Sequence, residues 1–266
     1  MQRFSVLMSV YIKENPSFLE VALQSLCEQT LKADEIVLVE DGPLTDSLYS
    51  VIEKFRPILP LRSVPLETNL GLAGALNHGL EHCSHDIIAR MDTDDFSLPH
   101  RFEVQVEFMT QHLNVAACSS YIEERSEDMT TVTFVKKLPL EHSELVEFAR
   151  TRSPMSHPAV MFRKSAVLAV GGYPIIYPED YPLWCKLISC GYKLANIPEV
   201  LLHMRAGNGM MSRRGKNFLK GYIQTYRLMY DLEMISYFTF GRNVILQTVI
   251  RNMPSWLLKV LYRYAR

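Results

Sequence analysis

The chain has 266 residues, 48% of them hydrophobic, with 28 Lys+Arg against 29 Asp+Glu and a formal net charge of −1. That composition supports a real core and excludes wholesale disorder. Five scattered cysteines (27, 83, 118, 185 and 190) fit reduced thiols rather than a disulfide framework. The near-zero charge hides an asymmetry: Leu201 to Arg266 holds eleven basic and two acidic residues (+9), against 17 basic and 27 acidic in residues 1–200 (−10), so two surfaces with different partners are expected.

The first ~120 residues alternate strand and helix signals, as βαβ units do. Phe4–Tyr11 is an apolar, β-branched run without a following cleavage site, so it reads as a buried strand and not as a leader. Pro16-Ser17 opens a helix whose apolar face is Phe18, Leu19, Ala22, Leu23 and Leu26. Glu35–Glu40 is a short buried strand stopped by the turn signal Asp41-Gly42-Pro43. Asp46–Phe55 reads as helix, Leu61–Val64 as strand and Gly71–His82 as helix. Asp86–Met91 is a strand ending in Asp92-Thr93-Asp94-Asp95; Ser97–Gln111 is a helix with Pro99 in its first turn, and Val115–Ser119 a further strand. Beyond ~120 the pattern is less regular, with strands at Thr131–Lys137, Ala159–Arg163 and Val200–Met204, and a helix running from Pro178-Glu179-Asp180 to near Gly191. After Gly207-Asn208-Gly209 the chain turns basic and mainly helical, with a break near Pro254. There is no Gly-x-Gly-x-x-Gly, no Walker A loop and no zinc spacing. No uncharged run reaches the ~18–20 apolar residues of a spanning helix.

Several strands therefore end on carboxylates, and in open α/β sheets ligands sit at the carboxyl ends of strands. Three carboxylates within Asp92–Asp95 repel one another unless a cation sits among them, and hard oxygen ligands suit Mg²⁺ or Mn²⁺; a solvated acidic turn has the same spelling. Asp41 can accept hydrogen bonds from a base or ribose, or can simply make an Asp-Gly turn. Asn69, Gly71, Ala75, Asn77 and Gly79 open a helix with small residues, which suits either an anion at its N-terminus or tight packing on the sheet. Glu179 and Asp180 start a helix with Trp184 one turn on; a carboxylate there can take a proton from a hydroxyl and the ring can stack a sugar, or Asp180 can cap the helix with Trp184 in the core.

In this order and spacing, Ser5–Tyr11, Glu35–Gly42, Asn69-Leu70-Gly71 with Ala75 and Asn77, Asp92-x-Asp94-Asp95, and Glu179-Asp180 with Trp184 resemble the family 2 glycosyltransferases over about residues 4–205. The resemblance implies an α/β chain of GT-A (nucleotide-diphospho-sugar transferase) fold, with a mixed, mainly parallel central sheet flanked by helices. It divides residues 1–205 into a nucleotide-sugar half, 1–120, and an acceptor half, 121–205, followed by a basic helical extension, 206–266. It implies a UDP-sugar donor, Mn²⁺ or Mg²⁺, and inversion at the anomeric carbon. Ser9, Tyr11, Glu14, Asp41, Asn69, Gly71, Asn77, Asp92 and Thr93 would hold the nucleotide; Asp94 would be the main metal ligand, with Asp92 and the late His203 beside it. Asp180 would be the catalytic base, Glu179 the alternative, with His157 and Trp184 lining the acceptor pocket. Ser156–Lys164 and Gly207-Asn208-Gly209 with Arg213-Arg214-Gly215 resemble the amylovoran-type branch, which builds O-antigen (lipopolysaccharide), capsule and exopolysaccharide repeat units. That branch implies a single hexose, glucose or galactose, moved to an undecaprenyl-diphosphate-linked saccharide at the inner face of the cytoplasmic membrane. Enzymes that charge a polyprenyl monophosphate, and a non-catalytic sugar-nucleotide-binding scaffold, are the alternatives.

Ser255–Arg266 has the pattern of an interfacial amphipathic helix: Lys259, Arg263 and Arg266 share one face, and Trp256, Val260 and Tyr264 lie on another. Each basic residue near anionic lipid adds roughly 1 kcal/mol, and Arg213, Arg214, Lys216 and Lys220 are candidates for the same membrane or for the acceptor's diphosphate. Nucleic acid is not an expected partner, because the acidic body repels phosphates. The oligomeric state is not readable from the sequence.

Overall fold

A computed structural model describes residues 2–206 and 216–252. Arg213, Arg214 and the tail helix expected at 255–266 lie outside the described residues, as does the side chain of Lys216.

The strands are β1 (Phe4–Val10), β2 (Glu35–Glu40), β3 (Leu61–Pro65), β4 (Ile87–Arg90), β5 (Phe96–Ser97), β6 (Val115–Arg125), β7 (Val132–Lys136), β8 (Met161–Arg163) and β9 (Lys193–Arg205). The helices are α1 (Pro16–Cys27), α2 (Asp46–Phe55), α3 (Gly71–His82), α4 (Arg101–Gln111), α5 (His142–Ala149), α6 (Lys164–Ala169), α7 (Asp180–Ser189), α8 (Lys216–Asp231) and α9 (Tyr237–Asn252). One mixed sheet runs β3-β2-β1-β4-β8-β6-β9-β5, with β7 paired to β6. The pairings β1–β2, β1–β4, β2–β3 and β6–β9 are parallel, and β8 joins the two halves antiparallel to β4 and β6.

The first half forms as its apolar pattern dictates. The side chains of β1 are buried almost throughout, as expected of a parallel strand covered on both faces. Phe4, Val6, Met8 and Val10 pack toward α1, α2 and α4, while Leu7 packs with Val37 and Val39 toward α3 and α7. Asn15 caps α1 by accepting from the Ser17 amide, 2.9 Å, and Thr45 caps α2. Gly79 lets α3 lie flat on the sheet: a Cβ there would meet Leu7 at 2.5 Å and Val39 at 2.7 Å.

The middle of the chain departs from the sequence expectation. Residues 96–97 are a strand and Pro99 precedes the helix, because Phe96 and Ser97 pair with His203 and Leu202 of β9. β9 begins at Lys193, seven residues before the expected Val200, and β6 runs on to Arg125; their register shifts around Tyr121. The bulge breaks the alternation that marks a strand. The short helices α5 and α6 carry too few turns for a periodic signal.

α8 and α9 form a hairpin seated on α7. Tyr226, Met229 and Ile235 share a small core with Tyr181 and Cys185. Tyr226 donates to the Thr151 carbonyl, 2.9 Å, and Asn243 to the Arg150 carbonyl, 2.7 Å. Gly221 touches the backbone just ahead of α7, where a Cβ would overlap the Tyr177 carbonyl oxygen at 1.5 Å. No helix among the described residues is long and apolar enough to cross a membrane.

Candidate active site

The carboxyl ends of β1, β2, β4 and β9 and the start of α7 supply the site. At its nucleotide side, Asp41 continues the β2 ladder through its amide to Val10, 2.8 Å, and accepts the Leu70 amide on Oδ1, 2.6 Å. Asn69 donates to the Asp41 carbonyl, 3.1 Å, and accepts from the Gly71 amide, 3.2 Å. Gly42 has φ +84°, and a Cβ there would lie 3.0 Å from the Asn69 nitrogen, so the Asp41 and Asn69 loops meet only because residue 42 is glycine. Tyr11 stands exposed at the end of β1 and Ser9 is half-buried below it. Glu14 follows in the same turn, its amide donating to the Tyr11 carbonyl at 3.0 Å.

Asn77 has another duty. Its amide donates to the Tyr173 carbonyl, 2.9 Å, and accepts from the Tyr173 amide, 2.7 Å, so both ends are spent holding the loop before α7. It is a positioning residue, not a nucleotide contact.

The centre is Asp92–Asp95. Asp92, Asp94 and Asp95 place one carboxylate oxygen each within 4.8 Å of one another. Asp92 pairs with the buried Arg90 guanidinium. Asp95 is 1% exposed; it accepts the Arg205 amide on Oδ1, 2.9 Å, and leaves Oδ2 without a partner. Burial, then the charges of Asp92 and Asp94, hold its carboxyl well above the usual range. An orphaned buried carboxylate oxygen among like charges is what a divalent cation relieves, so this donor set fits Mg²⁺ or Mn²⁺. Thr93 is buried between Asp92 and Asp94 in the chain.

Arg205 clamps this loop from β9. Its Nε donates to the Asp94 carbonyl, 2.9 Å, and its guanidinium lies 3.9 Å over the Phe18 ring. His203 is elsewhere: Nε2 is 3.2 Å from Glu123, and the ring stacks on Phe96. Two residues earlier on the same strand, it faces β6 and β5 while Arg205 meets the aspartates, so His203 does not belong to the acidic cluster.

Across from the aspartates, Glu179 occupies the cap position of α7 without a capping hydrogen bond, and Asp180 is the first helical residue. Asp180 accepts from the Ser153 hydroxyl, 3.0 Å. Glu179 is buried, with Oε1 3.6 Å from His157 Nδ1. Burial, then the Asp180 charge, raises the Glu179 carboxyl to about 7; burial also raises Asp180, against the Ser153 bond. His157 is buried behind Glu179, with Nε2 3.1 Å from the Tyr173 hydroxyl. Burial and the neighbouring Arg90 keep it neutral. It supports Glu179 from inside and does not line an acceptor pocket. Trp184 is fully buried in the core beside His157, so the packing alternative holds and its ring cannot stack a sugar.

Two expected results follow locally. Trp184→Ala should lose about 3–5 kcal/mol in urea denaturation; a loss below about 1 kcal/mol would contradict the core assignment. The raised Glu179 carboxyl binds its proton more tightly in the folded chain than at the ordinary 4.5. Its stabilising contribution is therefore complete below about pH 4.5 and fades as pH rises through about 7. Glu179→Gln should flatten that decline, by on the order of 3–4 kcal/mol at about 1.4 kcal/mol per pH unit; equal slopes for both chains in urea melts across the window would refute it.

Comparison with known proteins places this arrangement. The sequence model "Glycosyl transferase family 2" matches residues 5–170. The chain belongs to glycosyl transferase family 2. It is 44% identical to "Amylovoran biosynthesis glycosyltransferase AmsE" of Erwinia amylovora over 265 residues, 99% of each chain. It is 38% identical over 263 residues to an Escherichia coli "UDP-Gal:alpha-D-GlcNAc-diphosphoundecaprenol beta-1,3-galactosyltransferase", covering 98% of this chain and 95% of that one. Among solved structures, "S. aureus TarS 1-349 in complex with UDP-GlcNAc" superposes with a TM-score of 0.68 at 18% identity, over 94% of this chain and 72% of that one. "Mannosyltransferase PcManGT from Pyrobaculum calidifontis in complex with GDP-Man and Mn2+" gives 0.68 at 18%, over 99% and 79%. The fold of this glycosyltransferase is thus GT-A.

Sequence reading missed Arg90, Ser153, Tyr173 and Arg205. Only Arg90 leaves a signal: a charge at the end of the apolar run Ile87-Ile88-Ala89, directly before the aspartates.

Proposed function

We propose that this glycosyltransferase moves one hexose, glucose or galactose, with inversion, from a UDP-sugar to an undecaprenyl-diphosphate-linked saccharide in bacterial surface polysaccharide synthesis. It would work at the inner face of the cytoplasmic membrane. The observation that carries the reading is the Asp92–Asp94–Asp95 cluster facing the Glu179–Asp180 pair at the start of α7, close enough for the Asp92 charge to act on Glu179. The Escherichia coli relative, similar over nearly its whole length, supports the donor and acceptor classes by its name, and the Erwinia amylovora relative supports polysaccharide synthesis by its own.

The UDP base would lie between Tyr11 and Asp41, and the diphosphate over Asp92, Asp94 and Asp95. A Mn²⁺ or Mg²⁺ held there supplies Lewis-acid stabilisation of the charge on the departing diphosphate. Asp180 takes the proton from the acceptor hydroxyl as that oxygen bonds to the anomeric carbon; the bond from that carbon to the phosphate oxygen breaks, and UDP leaves. Asp180 is the better candidate because it is only partly buried, whereas Glu179 is 6% exposed and turned toward His157. Arg90 pairs with Asp92 and its charge reaches Glu179, so it ties the two sides of the site electrostatically.

A donor screen with purified protein, Mn²⁺ and undecaprenyl-diphosphate-GlcNAc tests the reading: transfer from UDP-galactose or UDP-glucose is expected. Nucleotide-sugar binding without transfer to any acceptor would favour a scaffold, and product on a bare polyprenyl phosphate the monophosphate alternative.

A further inference from the structure

α9 is two-faced. Phe240, Asn243, Val244, Gln247 and Arg251 face the domain: Phe240 and Val244 join the small core, Gln247 donates to the Tyr226 hydroxyl at 3.3 Å, and the Arg251 guanidinium lies 4.2 Å over Phe218. On the opposite side Phe238, Arg242, Ile245 and Val249, at i, i+4, i+7 and i+11, form an outward stripe about 16 Å long. Phe238 is 80% exposed and Ile245 64%, with Leu246 exposed on its flank. Nothing among the described residues covers the stripe.

We propose that this stripe is the face with which the protein enters an anionic lipid bilayer. The proposal deepens the lipid-linked acceptor reading and rests on it. Charge argues for this occupant: Arg242 is exposed within the stripe, its guanidinium donating to Asn243 Oδ1 at 3.2 Å and keeping further N–H donors for phosphate. The 14 residues beyond Asn252 add Lys259, Arg263 and Arg266, with no acidic residue. The packing of α9 on the domain bears on it too. The last turn of α9 packs through Arg251 on Phe218, and Phe218 lies 5.4 Å, ring to ring, from Tyr177. Tyr177 precedes Glu179 by two residues, and Ile175 on the same loop is 75% exposed. Seating α9 in the interface therefore places the loop before Glu179 and Asp180 directly behind the helix, one helix diameter (~10 Å) from the stripe, within reach of an acceptor carried on a lipid diphosphate.

Flotation of the full chain with phosphatidylethanolamine/phosphatidylglycerol vesicles tests this. Phe238→Asp/Ile245→Asp/Val249→Asp should cut the bound fraction at least tenfold, while transfer to a short-chain, water-soluble diphosphate acceptor stays within twofold of wild type. In a second measurement, tryptophan placed as Phe238→Trp, in a Trp256→Phe background, should be quenched by brominated lipid. Wild-type flotation of the triple variant, or absence of quenching, would overturn the proposal. So would a wild-type dimer that the triple variant splits without losing vesicle binding, since the stripe would then serve a second copy. Stripe-dependent vesicle binding with no transfer to any lipid diphosphate would leave the membrane face standing and remove the proposed acceptor.

Discussion

Asp180→Asn is expected to lower kcat about 10³-fold, within the 10²–10⁴ that a positioned general base contributes, while the Kd for the UDP-sugar changes less than about threefold. Both halves follow from place. Asp180 opens α7, and its side chain is held by Ser153 and not by any residue that would hold the nucleotide, so neutralising it should remove proton transfer and little else. Asn keeps the acceptor for the Ser153 hydroxyl, which protects the fold. Kinetics on a single acceptor together with calorimetric titration of the donor separate the two effects. If Glu179→Gln gives the large kcat loss and Asp180→Asn does not, the base is one residue earlier, and the raised Glu179 carboxyl would be its poised form.

Asp94→Ala is expected to remove metal-dependent turnover, a loss of at least about 10³-fold in kcat/KM, since the lost cation would stabilise the developing diphosphate charge. Mn²⁺ binding measured directly, without substrate turnover, should weaken in parallel. Replacement also relieves repulsion on Asp95, whose carboxyl the Asp92 and Asp94 charges push up, so the variant should be no less stable than wild type in the absence of Mn²⁺. Wild-type activity in Asp94→Ala, or unchanged Mn²⁺ affinity, would remove the metal assignment.

Much of this site was legible because strands announce themselves by composition and their ends by chemistry. Glu35–Glu40 and Asp86–Met91 read as buried strands, and the carboxylates that follow them lie at the carboxyl edge of the sheet. Pairing is not legible in the same way. Phe96–Ser97 is too short to show a period, yet its ladder to β9 sets the Asp92–Asp95 loop against Arg205. Side-chain duty is also decided by tertiary contact. Asn77 looked like a ligand residue in a small-residue helix and is used by the Tyr173 backbone; Trp184 looked like a sugar platform and is core. His203 has the chemistry of a metal ligand but was placed by strand register next to Glu123. The charge asymmetry first seen as −10 against +9 now has addresses: part of the acid is gathered at the site, and part of the base follows the helix whose apolar stripe points outward.

The most direct measurement is the anomeric configuration of the product. Incubated with Mn²⁺, a UDP-α-hexose and undecaprenyl-diphosphate-GlcNAc, the enzyme should form a β-linked disaccharide, read from the anomeric coupling constant of the released sugar by NMR. An α-linked product would mean net retention at the anomeric carbon, and would contradict a single inversion assisted by Asp180.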